Sequence, residues 1–600
     1  MNYTLGMSST MNHTLDYVSE HSRVLALGLA DYAVIISMLL VSAGIGIYFR
    51  FSGGRQRTAN EFLLAGGNMP ILPVAFSVMA SGKSAITYLG VPADMYTFGT
   101  YFAFVNLGNT AGALVAGYLF LPVYFSTKSS SIYEYLEKRF GRTLRRICSL
   151  CFSIQVMLYI AVCLYAPALA LSAVTSLSIW TSVISVGVVC TFYCTLGGMK
   201  AVLWTDVFQA SLMYIGLVTL VAKGSSDVGG MEEVVRRAQE GGRLIVPGFE
   251  MDFTTRYTFP NVFLYGFCTS LSAYGASQMQ VQRMLTVNSV RKARTALFSS
   301  LPIIFFFHVV NCFAGLVLYA NYRDCDPLTS GEGLISKPDQ LLPYFSLTSL
   351  GSYPGMPGLC VCGMLSAALS TMSSMVNSLS TVTVEDFLRP VCGMSEKSTA
   401  LAAKLTTMAY GVIGLLLVYI VANFGNVLQA STIVYGLVAG PTLGIFLLGI
   451  LTARTNEKGA IFGLVVSLVF TAWMSFGGAA ANTAHPYLPL STEGCAHNFT
   501  TPTIPPTIAT PTPEYIFPLF RISYMWFTPI AVFITIVFGY LSSYFFSKPE
   551  SIEDRLLNPI VRKMLGRKKP EKQSVQLTSL GYLQNGDVSA KDSSEMPLKP

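Results

Sequence analysis

The sequence predicts an all-α polytopic membrane protein with about thirteen transmembrane helices. Three observations predict it. Of 600 residues, 52% are hydrophobic and 12% charged, about half the charged share of a soluble protein. Apolar runs of roughly 20 residues recur along the chain, long enough to span a hydrocarbon core of about 30 Å. The 39 Lys and Arg residues concentrate in alternate loops. Backbone groups cannot stay unpaired in lipid, so each run is a helix. The alternating segments of about ten residues that mark a membrane barrel do not occur.

The elements follow in order. Residues 1–28 form a polar arm, read as extracellular and not as a cleaved signal. The transmembrane domain, 29–546, has spans near 29–49, 71–97, 101–125, 147–174, 178–198, 203–223, 258–279, 297–320, 356–383, 400–422, 428–452, 459–479 and 516–546. With the N-terminus outside, loops 50–57, 128–146, 200, 283–294, 389–404 and 454–458 and the tail 547–600 face the cytoplasm. They hold most of the basic residues, as the positive-inside rule requires. The net charge of +8 therefore reports orientation and gives no support to nucleic-acid binding.

The outer segments carry sequons at Asn2, Asn12 and Asn498, positions open to glycosylation. Cys325 and Cys495 both fall in outer loops and are available to pair, although sequence does not decide connectivity. The other cysteines lie mostly within helices, where a small apolar residue is explanation enough. The outer loop 481–515 contains TPTIPPTIATPTPE, a Thr/Pro tract suited to an extended chain. The tail opens on the basic run RKMLGRKKPEK (562–572) and is otherwise polar and largely disordered. The run either lies near anionic lipid or simply marks the cytoplasmic side.

Polar residues inside spans are expensive and therefore informative. The second span reads SVMASGKSAITYLG over 77–90. Gly82 and its polar neighbours make a poor helix centre, and a broken helix at membrane depth is tolerated where it lines a cavity or ion site. In the ninth span, hydroxyl or amide groups at Ser366, Ser370, Ser373 and Asn377 share one face. Adjacent Ser370 and Thr371 offer two hard oxygens, the ligand type of hard cations. Small hydroxyl residues also let helices pack closely, and composition alone leaves both readings open. The eleventh span carries Gln429, Ser431 and Thr432 before Gly436, Gly440 and Pro441, a bend that either faces a cavity or serves packing.

No catalytic motif occurs. The five His show no metal spacing, and neither a P-loop nor a dinucleotide fingerprint is found. No loop is large enough for a nucleotide-binding domain, so transport would draw on an ion gradient or be passive. No cofactor is expected.

Several long stretches carry a resemblance. TFYCTLGGMKAVLWTDVFQ (191–209), IYEYLEKRFGR (132–142), QMQVQRML (278–285), DQLLPYF (339–345) and GILTARTNEKGAIFG (449–463) resemble the sodium/solute symporter family. In the last motif Ser467 follows where a glycine is common. YAPALAL (165–171) and TVEDF (383–387) resemble the branch of sodium-coupled monocarboxylate, multivitamin and iodide transporters. The resemblance covers about 30–546. It implies a LeuT-type core of two inverted five-helix repeats starting at the second span, with the second and seventh spans discontinuous. It implies a plasma-membrane symporter using Na⁺ to import a small organic anion: a short monocarboxylate first, then a biotin- or pantothenate-like vitamin, then an iodide-like anion. It places Na⁺ on the carbonyls of Ala80, Lys83 and Ala367 and the hydroxyls of Ser370 and Thr371. Tyr159 and Thr87 fall in the substrate cavity, Thr87 where relatives often have glutamine. Gln429 is a further cavity candidate.

Lys83 departs from the family pattern, which has an uncharged residue there. In one reading its side chain turns away and Na⁺ binds the backbone, with Asp206, near the inner route from the ion site, a candidate partner for the ammonium. In another the ammonium replaces Na⁺, giving Na⁺-independent or proton-coupled transport. An ammonium within about 4 Å of Na⁺ would cost about 4 kcal/mol at an effective dielectric of 20. A third role is as counter-charge to a substrate carboxylate. A ligand sensor or leak channel on the same scaffold is the rival from another class, separated from a symporter by its inability to accumulate substrate.

Overall fold

The computed structural model describes residues 27–52, 56–127, 129–174, 178–246, 248–330, 335, 337–422, 427–481, 487–495, 517–546 and 552–566. Among the described residues the regular structure is entirely helical. The main helices are α1 (Leu29–Phe51), α2 (Ile71–Gly82), α3 (Ala85–Phe98), α4 (Val105–Leu119), α5 (Arg142–Val174), α6 (Ile179–Asp227), α7 (Met231–Glu240), α8 (Phe259–Ala276), α9 (Gln278–Met284), α10 (Val290–Tyr322), α11 (Met356–Val382), α12 (Glu396–Val421), α13 (Val427–Leu451), α14 (Glu457–Ala480) and α15 (Phe527–Ser542).

The expected count of thirteen spans is not reached on length and apolarity: among the described residues nine helices pass, or ten if a bent pair counts as one span. The reasons are physical. The second span is broken between α2 and α3, and the seventh between α8 and α9 at Ser277, whose φ of −112° and ψ of 123° leave the helix. The fifth and sixth spans are joined in the 49-residue α6, and the eleventh counts only as the shorter apolar helix Tyr435–Leu451. At 1.5 Å per residue α6 would be roughly 70 Å long, more than twice a hydrocarbon core. It is interrupted at Gly198, with φ 57° and ψ −156°, a backbone region open to glycine. A Cβ there would stand 2.7 Å from the Phe62 ring and 2.8 Å from the Phe62 carbonyl.

Burial orders the helices. The most apolar stretch of the α11 segment is 94% buried, against 17% for α1 and 28% for α12, so α11 is central and the other two are peripheral. Small residues on α11 permit this. Gly358 lies against the Asp31 backbone, and a Cβ on Gly363 would reach the Tyr88 hydroxyl at 2.7 Å. The stretches quoted from 132–142, 383–387 and 449–463 meet in space. Arg139 donates to the carbonyls of Gly449 (3.0 Å), Thr452 (2.7 Å) and Thr455 (3.2 Å), capping the end of α13 as basic side chains cap helix C-termini. Arg145 pairs with Asp386 at 2.5 Å, and Glu457 accepts the Leu144 N–H at 3.2 Å. At the opposite end Cys325 and Cys495 form a disulfide.

Candidate functional site

The site begins with the break in the second span. Lys83 N–H still bonds the Met79 carbonyl at 3.1 Å, but Lys83 (φ −117°, ψ 84°) and Ser84 (φ −70°, ψ 169°) leave the helix. The chain restarts as α3, with Tyr88 N–H on the Ser84 carbonyl at 3.0 Å. Gly82 weakens the preceding turn, and serine favours a position just before a helix. A helix end leaves its last carbonyls without helical partners, here in mid-span.

α11 supplies hydroxyls at that point. Ser370 Oγ lies 2.9 Å from the Ala80 carbonyl and 3.3 Å from the Ala367 carbonyl. Thr371 Oγ1 lies 3.4 Å from the Ser81 carbonyl. Ala80, Ala367, Ser370 and Thr371 are all buried. Neutral oxygens from two elements converge on one spot, and each hydroxyl can turn its proton away from an arriving cation.

Beside this cluster lies a cavity of about 260 Å³. Lys83, Ser84 and Thr87 line it from the break, Tyr159 from α5, Thr371 from α11 and His308 from α10. Tyr159 stands 3.4 Å from Ser84 across the two elements, hydroxyl to hydroxyl. The Lys83 ammonium forms no ion pair among the described residues, and Lys83 shares the lining of the cavity with His308 of α10.

The expected pairing of Lys83 with Asp206 does not form. Asp206 lies 3.6 Å from Arg283 and accepts the Ser77 hydroxyl at 2.5 Å. Arg283 also donates to Ser77 at 2.8 Å, to the Met279 carbonyl and to Ser374, while Ser374 donates to the Ser370 carbonyl at 2.5 Å. This fully buried ion pair is one turn of α11 from Ser370. A buried carboxylate needs a donor-rich cation at hand, and Arg283 supplies one. The motif QMQVQRML contains this arginine, but its partner lies outside the motif and only packing reveals it.

At the other end of α3 a second ion pair, buried Asp94 with half-buried Arg256, stands at the cavity. Arg256 lies 3.2 Å from Asp94, and the Tyr257 hydroxyl is 2.9 and 2.8 Å from the two Asp94 oxygens and 2.8 Å from the Tyr524 hydroxyl. The Arg256 guanidinium lies 4.0 Å from the Phe98 ring centroid. Asp94, Tyr257 and Tyr524 line the cavity, and sequence reasoning did not single them out. Gln429 falls within α13, where its side chain lies outside the described residues. Asn2, Asn12 and Asn498 also lie outside them.

Comparison with known proteins gives the family and the fold. The family model "Sodium:solute symporter family" matches residues 62–467. A Drosophila melanogaster protein with the provisional name sodium-dependent multivitamin transporter is 43% identical over 533 residues, 87% of each chain. Sodium-coupled monocarboxylate transporter 1 of Xenopus laevis is 38% identical over 86% of this chain and 85% of its own length, and its Homo sapiens counterpart is 37% identical over 86% of each chain. Among solved structures, a Na⁺-coupled sialic acid symporter in an outward-open state matches with a TM-score of 0.73 at 23% identity, covering 87% of this chain and 99% of that one. That likeness shows the fold, which is the LeuT type. The chain is a multi-pass membrane transporter, not an enzyme, and it belongs to the sodium:solute symporter family.

Proposed function

We propose that this protein imports a small organic anion across the plasma membrane, driven by Na⁺, with its N-terminus outside and its C-terminus in the cytoplasm. The observation that carries the reading is the approach of Ser370 Oγ to the Ala80 carbonyl at 2.9 Å, where α2 ends in mid-span. The carbonyls of Ala80, Lys83 and Ala367 and the hydroxyls of Ser370 and Thr371 hold Na⁺ between the broken span and α11. A cation there draws the two elements together, so binding couples to movement of one helix bundle against the other. Asp206, paired to Arg283, stands on the inner route from that site.

The organic anion occupies the adjacent cavity, against Thr87 and Tyr159, with Gln429 of α13 a further candidate. The N-terminus of α3 faces it with unbonded N–H groups, and Lys83 supplies the counter-charge. Lys83 lines this cavity together with Ser84 and Thr87 at the start of α3, which favours this role over replacement of Na⁺. A short monocarboxylate ranks first, a biotin- or pantothenate-like vitamin next and an iodide-like anion after these; the names of the relatives, monocarboxylate and multivitamin transporters, support the first two classes. Asn2, Asn12 and Asn498 are the glycosylation sites of the outer face.

The test is uptake of labelled short monocarboxylates, biotin and pantothenate by cells expressing the chain, in Na⁺ medium and with choline replacing Na⁺. One substrate is expected to accumulate above its outside concentration only with Na⁺. Accumulation that persists in choline, or follows pH instead, overturns the coupling ion. Equilibration without accumulation overturns active transport.

A further inference from the structure

The end of the molecule that carries the 50–57 and 389–404 segments has a second recess, separate from the transport cavity. It is a groove of about 470 Å³ between the end of α1, residues 56–57 and the start of α12. Arg50, Arg57, Lys397 and Lys404 line it, and among the described residues no carboxylate does. The acids close in sequence already have partners and do not line the groove. Glu61 Oε2 accepts the backbone N–H of Arg57 at 3.3 Å, and Glu396 pairs with Arg389 at 2.9 Å. Four basic side chains therefore line a recess that, among the described residues, has no acidic group on its walls, and the charge of Arg50 acts against that of Lys404.

The groove is built into the fold. Lys404 Nζ is held by the Gln56 carbonyl at 3.1 Å and lies 5.7 Å from the Phe62 ring centroid. Gln56 is buried and has φ 53°, a conformation that costs a non-glycine residue free energy. The surrounding packing thus fixes an arrangement in which like charges converge. Such an arrangement is relieved by an anion.

The rim indicates where that anion comes from. Phe51 is 72% exposed and Leu401 59% exposed, both in the lining of the groove. Large apolar side chains facing outward next to cations fit the level at which acyl chains meet headgroups. A site for a soluble anion has no use for them. By the orientation proposed above, this level is the cytoplasmic leaflet, the one rich in anionic lipid.

We propose that this groove binds the phosphorylated headgroup of an anionic lipid of the cytoplasmic leaflet, with its acyl chains against Phe51 and Leu401. Arg57 and Lys397, both exposed, reach phosphate from the front; Arg50 and Lys404 face it from behind. Convergence of four cations suits a headgroup with several phosphates, such as a phosphoinositide, better than one with a single charge. A bound lipid bridges the end of α1 and the start of α12, two helices at the periphery of the bundle.

The test uses the full chain in nanodiscs of phosphatidylcholine doped with phosphatidylinositol bisphosphate, with lipid retention read by native mass spectrometry. The double variant Arg57→Ala, Lys397→Ala removes two exposed cations, each worth a factor of about five, so retention is expected to fall about thirty-fold. Arg146→Ala, which removes an exposed basic residue outside the groove, is expected to leave retention within about twofold, the scatter of a single surface charge. Retention by the unaltered protein is expected to fall as salt rises. Equal retention in the double variant and the unaltered protein overturns the proposal, as does an equal loss in Arg146→Ala. Displacement by an equal concentration of inositol trisphosphate overturns the lipid as ligand and makes the groove a site for a soluble phosphate. Na⁺-dependent uptake by the same variants reports that they fold, independently of lipid retention.

Discussion

Single residues decide whether the broken span is an ion site or a packing defect. Ser370 and Ser378 are both buried hydroxyls on α11, but Ser378 donates only within its own helix, to the Met375 carbonyl at 2.8 Å. Ser370→Ala is expected to raise the Na⁺ concentration for half-maximal uptake about tenfold or more, the cost of a lost bond to a charged group, while Ser378→Ala shifts it little. Equal effects from the two would reduce Ser370 to packing. Lys83→Met is expected to raise KM for the carboxylate substrate about tenfold or more with Na⁺ dependence unchanged, by the same magnitude. Na⁺ dependence that appears or strengthens in that variant would show that the ammonium had held the cation's place. The residue types of this site, paired hydroxyls and a glycine-weakened turn, were readable in one dimension. The ionic partners were not: Asp206 chose Arg283 and Asp94 chose Arg256, because pairing depends on which helices pack together.

At the scale of elements, breaks in the helices carry the fold. Gly198 turns α6 where no side chain fits, with Phe62 2.7 Å from any added Cβ. Gly198→Ala is expected to lower stability by about 1–3 kcal/mol through backbone strain alone, seen as a lower midpoint of thermal unfolding in detergent. The motif around it was quoted as a family stretch, yet its sequence does not say that two spans are joined there in one interrupted helix. Outside the membrane, α7 is held by charges. Arg236, with Arg237, hydrogen-bonds Glu233 and lowers its pKa to about 2 from 4.5, and Arg237 donates to the Ala320 carbonyl at the end of α10 at 2.9 Å. A depressed carboxylate pKa contributes stability that is complete above the unfolded value and lost as pH falls through the folded one. The window is therefore about pH 4.5 down to about 2. Hydrogen exchange in α7, corrected for intrinsic rates, is expected to hold steady from pH 7 to 5 and to accelerate below that window's upper edge.

At the scale of the whole molecule, the end of the bundle opposite the 132–142 and 449–463 stretches is tied across a long stretch of chain. The Cys325–Cys495 disulfide joins residues 170 apart in sequence. Asp326 N–H bonds the Ser491 carbonyl at 2.9 Å beside it, and Leu488 N–H bonds the Thr97 carbonyl at the end of α3 at 2.9 Å. The strap therefore reaches the half-helix that lines the cavity. Replacing both cysteines by serine is expected to lower stability by about 2–5 kcal/mol, read as a fall in unfolding temperature that reducing agent reproduces in the unaltered protein and does not deepen in the variant.

The sequence by itself determined the all-helical membrane architecture, the break in the second span, the oxygen-rich face of α11 and the motifs that place the chain in its family. Each of these is a local property, since hydropathy, glycine and hydroxyl placement act over a few residues. Only the tertiary structure decided that Cys325 meets Cys495, that Lys83 lines one cavity with His308 of α10, that Asp206 and Asp94 each hold an arginine, and that four cations converge between α1 and α12. Those are contacts between segments far apart in the chain, where packing geometry and the cost of leaving a charge unpaired in a low-dielectric interior select one partner among many.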